Sequence, residues 1–149
     1  MEHHRGIVEK YGGTSLLNAE RDTVALNHVV DTHRRLGSDR YTLLVCSGVG
    51  KKDSTPDGRK ATDHAIAIAE GRNWEHEWRV LEDILRGNTQ DHGLSASVAN
   101  GPLQEVQRIL ESGNIDDAAK GKIIWLPERH KQWVLFTKAQ HIFPDLPFV

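Results

Sequence analysis

A lysine followed by two glycines and two hydroxyl side chains, in Lys10-Tyr11-Gly12-Gly13-Thr14-Ser15, is the stretch of this chain best equipped for chemistry. Without Cβ atoms, glycines let backbone N–H groups close on an anion. A helix that starts just beyond them adds partial positive charge, and Lys10 adds a full one. The natural guest is the phosphate of a nucleotide; the plainer alternative is a tight turn beside a solvated lysine. The spacing is neither G-x-x-x-x-G-K-[ST] nor G-x-G-x-x-G. A second loop, Ser47-Gly48-Val49-Gly50-Lys51-Lys52, offers a hydroxyl, glycines for close backbone approach, and two ammonium groups. With Arg59 and Lys60 those lysines make a local basic patch, which read more plainly is a solvated face.

Two strands and a helix must position these loops. Residues 6–11 read as a strand and Ala19–Leu36 as a helix, with Asn18 as N-cap and Gly37 just past its end. Leu26, Val29, Val30 and Leu36 share one face of it. The apolar run 41–46 reads as a second strand, buried on both sides as in a parallel sheet. Strand, helix, strand implies a parallel crossover. Both loops then emerge at the carboxyl edge of the sheet, where open α/β sheets bind ligands. Thr62-Asp63 opens a largely buried helix that stops at Gly71. Trp74, Trp78, Leu81 and Leu85 fall on one helical face, which reads as core. Residues 87–93 read as loop, Pro102 as a first helical position, 122–127 as a short strand or extended segment, and 128–143 as a helix with Trp133, Phe136 and Phe143 on one face.

Composition bounds the function. The 149 residues suffice for one domain with a real core, and a net charge of −2 sets up no field toward nucleic acid or acidic membrane. A single cysteine, Cys46, allows no internal disulfide and fits a reducing, cytoplasmic setting; it reads as a small buried hydrophobe. No apolar run approaches the roughly 20 residues that span a bilayer. The nine histidines show no metal-ligand spacing, and residues 1–5 read as a disordered leader.

Lys10-Tyr11-Gly12-Gly13-Thr14-Ser15 resembles the K-[FY]-G-G-T-S opening of aspartate kinases, in the amino-acid kinase family. Leu43 to Lys52, followed by Lys60-Ala61-Thr62-Asp63, is similar to that family's V-V-S-A-P-G-K-R … K-V-T-D. The resemblance implies a three-layer α/β sandwich around a mainly parallel sheet, incomplete here. Residues 6–149 would be the N-terminal portion of the kinase domain, without a regulatory ACT domain. The implied reaction moves the γ-phosphoryl group of ATP to the β-carboxylate of L-aspartate, with Mg²⁺ carried on the nucleotide. It further implies Lys10 as the catalytic residue, with Tyr11, Gly12 and Gly13 beside it on the ATP phosphates. Thr14, Ser15, Ser47, Thr62 and Glu128 would then bind aspartate, Glu128 holding its ammonium. Around Glu128 the chain departs from the pattern: Pro127 stands in place of glycine and Lys131 in place of a common serine. Read without the family, Glu128 is a helix-start carboxylate favoured by the dipole. Two other readings stay open, a non-catalytic ligand-binding or partner module and a kinase of another amino acid or carbamate. The expected partners are ATP and L-aspartate, not nucleic acid or membrane, and the open edges of an incomplete sheet favour homo-oligomers.

Overall fold

The structure is a computed structural model that describes residues 6–12, 18–37, 41–49 and 57–148; the leader expected at 1–5 lies outside them. Strand β1 (Ile7–Tyr11), helix α1 (Ala19–Leu36) and strand β2 (Thr42–Cys46) come first. The strands pair in parallel, Ile7 opposite Thr42 through Tyr11 opposite Cys46. Asn18 starts α1 by accepting the Arg21 N–H at 3.0 Å. Acidic residues then occupy the first turn and basic ones the last, matching the helix dipole.

Four helices follow: α2 (Ala61–Ala69), α3 (Trp74–Asp91), α4 (Ser97–Ser112) and α5 (Asp117–Ile142). They share one core, in which Ile68, Leu81, Leu85, Leu103, Val106, Ile123 and Leu126 are buried and Trp74 packs alongside. A second, smaller core joins the inner sheet face to α1 and α5 through Cys46, Ala25, Leu26, Leu135 and Ala139, with Tyr11 and Leu44 against it. Helix α5 thus serves both cores, the first with its N-terminal half and the second with its C-terminal half.

This architecture overturns the three-layer sandwich with a mainly parallel central sheet. About two thirds of the described residues are helical, and the sheet among them has two strands. Nor is β2 buried on both faces, because Leu43 is 52% exposed and Val45 37%. Residues 122–127 are helix, since Ile123, Leu126, His130 and Val134 recur at helical spacing and are all buried. Packing at that period outweighs the β preference of Ile123 and Ile124. Pro127 lies inside α5, where it withholds one N–H from the ladder without ending the helix. Gly87 likewise lies inside α3, which runs on because Leu85 and Thr89 are buried on either side of it. Pro102 is interior to α4 rather than at its start. Trp133, expected in the core, is 48% exposed.

Candidate functional site

The two loops leave the sheet side by side. Parallel pairing puts Tyr11 next to Cys46, and the N–H of Ser47 donates to the carbonyl of Tyr11 at 3.2 Å. From this edge β2 runs into Gly48, which lies directly against Glu128 of α5. A Cβ on Gly48 would stand 2.9 Å from Glu128 Oε1 and 3.2 Å from its backbone nitrogen. Glycine at this position therefore admits the carboxylate. The Thr62 hydroxyl, in the first turn of α2, donates to the same Oε1 at 3.3 Å. That turn is set by the backbone N–H of Lys60, which donates to Asp63 Oδ2 at 2.9 Å. Gly48, Thr62 and Glu128, from β2's end, α2 and α5, so meet around one carboxylate. Glu128 belongs to the interior of α5, and a helix-start dipole does not account for it. A carboxylate held by one hydroxyl, beside a half-buried glycine, can accept further hydrogen bonds from an ammonium group.

Lys10 does not join this group. Alternation along β1 places it with Val8 on the outer sheet face, exposed, while Glu9 and Tyr11 turn inward. The Tyr11 hydroxyl donates to Glu9 Oε2 at 2.8 Å, and burial, with that bond to Glu9, pushes its pKa up to about 12. A Cβ on Gly12 would meet no atom of the described residues within 4 Å. Gly13, Thr14, Ser15, Lys51 and Lys52 lie outside the described residues.

Behind the loops lies a cluster that the sequence did not suggest. Asp22, His92 and Lys131 are all buried. Lys131 Nζ donates to Asp22 Oδ2, and His92 Nε2 lies 2.6 Å from the same oxygen. His92 Nδ1 in turn donates to the carbonyl of Asn88 at 2.7 Å. Asp22 Oδ1 is buried with no hydrogen-bond partner among the described residues. The cluster ties the first turn of α1 to α3 and α5. Cys46 is close by; burial pushes its thiol up to about 11, with Lys131 pulling the other way. The basic patch also changes character, because Arg59 donates to both oxygens of Glu77, at 2.9 and 2.7 Å, and to Asp57 at 2.8 Å. Arg59 with its hydrogen bonds holds Asp57 down near 2. Glu77 also meets the buried His64, whose Nδ1 is 2.6 Å from Oε2. No local signal could reveal the Asp22–Lys131 pair, whose members are 109 residues apart.

Among the described residues no three His, Cys, Asp or Glu side chains are grouped to hold a metal ion, and no helix is long and apolar enough to cross a membrane. Compared with known proteins, the chain matches no family model and no curated sequence.

Proposed function

We propose that the chain is an N-terminal portion, or a shortened relative, of an ATP-dependent kinase acting on the β-carboxylate of L-aspartate. The observation that carries the reading is the convergence of Gly48 and Thr62 on the Glu128 carboxylate, at the sheet edge where Ser47 bonds to Tyr11. In this reading Glu128 takes the aspartate ammonium, and Ser47 and Thr62 orient the rest of the molecule. Lys10 and the N–H groups at Gly12 and Gly13 attract the nucleotide phosphates, and Thr14 and Ser15 join in binding aspartate. Holding two anionic reactants in line, with their charge neutralised, is most of what phosphoryl transfer asks of a protein. Mg²⁺ would come with the nucleotide and supply charge shielding between its phosphates.

Calorimetric titrations with L-aspartate and with ATP–Mg²⁺, run separately, test the two halves of the reading. Binding of aspartate that disappears in Glu128→Gln, and weak ATP binding that disappears in Lys10→Ala, are the expected results. Hydroxylamine trapping should find no acyl phosphate from this chain alone. Absence of aspartate binding at millimolar concentration would sink the assignment. The outward placement of Lys10 favours a second reading, a module that binds an amino acid without phosphoryl transfer; retained aspartate binding with no response to ATP would select it.

A further inference from the structure

We propose that His92 is a proton-operated latch: the folded chain holds its ring doubly protonated between α3 and α1, and loss of the second proton in alkaline solution weakens the tie between them. The ring is buried at the C-cap of α3. Its Nδ1 lies 2.7 Å from the Asn88 carbonyl, which can only accept, so Nδ1 carries a hydrogen. Its Nε2 lies 2.6 Å from Asp22 Oδ2, and a carboxylate oxygen likewise only accepts. Both ring nitrogens are therefore donors, and a ring with two N–H groups is an imidazolium. A bare Nε2 would set its lone pair against that oxygen, with ring and carboxylate both closed to solvent.

The groups around the ring come from four elements. Asp22 arrives from α1; Lys131, Lys138 and His130 from α5; Cys46 from β2. Lys131 donates to the same Oδ2, and Lys138 Nζ donates to the His92 carbonyl at 2.8 Å. Both lysines oppose a second proton on the ring, and Asp22 favours it. Asp22 prevails by position, because its Oδ2 touches the ring and also offsets Lys131. Asp22 Oδ1 has no partner among the described residues, so the buried carboxylate is answered at Oδ2 alone, by both cations. His130 and Cys46 add no charge, since burial lowers the first to about 4 and raises the second to about 11. Asp91, beside His92 on α3, is exposed to solvent and screened. The smaller core joins α1 to the sheet and α5 without a described residue of α3, so Asp22–His92 gives α1 a polar tie to α3 that this core lacks.

Nuclear magnetic resonance of the full chain, with nitrogen-labelled histidine, reads the ring directly. At pH 7.5 both His92 nitrogens should carry protons; one bare nitrogen overturns the proposal. Urea unfolding supplies a second readout. An unfolded histidine, near 6.5, is mostly neutral above pH 7, so folding takes up a proton and stability falls as the pH rises. Relative to His92→Gln, the wild-type folding equilibrium constant should drop about eightfold from pH 7 to pH 8. Parallel profiles for the two proteins overturn the proposal. Should His92→Gln lose its helical signal in circular dichroism, the wild type alone suffices. Its unfolding in urea at pH 7.5 should release about one proton per chain, read with a pH indicator, and unfolding without release overturns the latch.

Discussion

Acidification should destabilise this protein through His130, and the size of the effect follows from where that ring sits. His130 is buried beside α3, its Nε2 3.2 Å from the Thr89 hydroxyl oxygen. Thr89 spends its own proton on the Leu85 carbonyl at 3.1 Å, so the ring must be the donor and Nε2 carries the hydrogen. Nδ1 is buried with no hydrogen-bond partner among the described residues, and a second proton there would go unanswered. Burial lowers the His130 pKa to about 4, against roughly 6.5 in an unfolded chain. Between those values the unfolded state binds the extra proton and the folded state does not. Stability is therefore full above about pH 6.5 and falls as the pH drops toward 4. Linkage with these two values removes about 2 kcal/mol between pH 7 and pH 5, and about 3 by pH 4. His130→Gln keeps an N–H donor for Thr89 and cannot titrate. Urea unfolding followed by circular dichroism at pH 7, 6 and 5 should show the wild type losing about 2 kcal/mol more than His130→Gln. Parallel pH profiles for the two proteins would refute the argument, as would a ring titration near 6.5 in the folded state.

Three further outcomes are expected. Gly48→Ala must push the Glu128 side chain away from Thr62, because the new methyl would sit 2.9 Å from Oε1; aspartate binding measured by calorimetry should weaken severalfold while helical content is kept, and unchanged affinity would detach Gly48 from the site. Asp22→Asn leaves the buried Lys131 ammonium without its counter-charge and should cost about 3–5 kcal/mol in urea unfolding; a loss under about 1 kcal/mol would mean that the cluster is not an ion pair in solution. The Cys46 thiol, buried and raised to about 11, should react with a disulfide reagent at pH 8 only as fast as the chain unfolds, and rapid native-state labelling would contradict its burial.

Local patterns were most legible where one face of one element does all the packing. The stripe of Leu26, Val29 and Val30, the Asn18 cap, and the face carrying Trp78, Leu81 and Leu85 all stand in the structure as periodicity predicts. Periodicity fails on α5 because its buried face changes along its length. Ile123 and Leu126 enter the larger core, while Leu135 and Ala139 enter the smaller one; the buried side also carries His130 and Lys131 while Trp125 and Trp133 stand exposed, so apolar residues do not mark it in the sequence. The prolines and Gly87 misled for a related reason: punctuation by one residue costs a few kcal/mol at most, less than the burial on either side of it. Within the site, Lys10 and Gly12 were legible as chemistry, but the outward turn of Lys10 depends on which sheet face α1 and α5 cover.

Sequence alone determined the order of the first strand, helix and strand, the parallel pairing that brings two glycine loops to one edge, and the residue types available there. These follow from periodicity, capping and the short reach of a crossover, all of them local. Tertiary structure alone decided that the sheet of the described residues stops at two strands, that Glu128 meets Gly48 and Thr62, and that Asp22 pairs with Lys131. Those contacts join segments tens of residues apart, and their geometry is set by how the helices pack together, which no window of sequence contains.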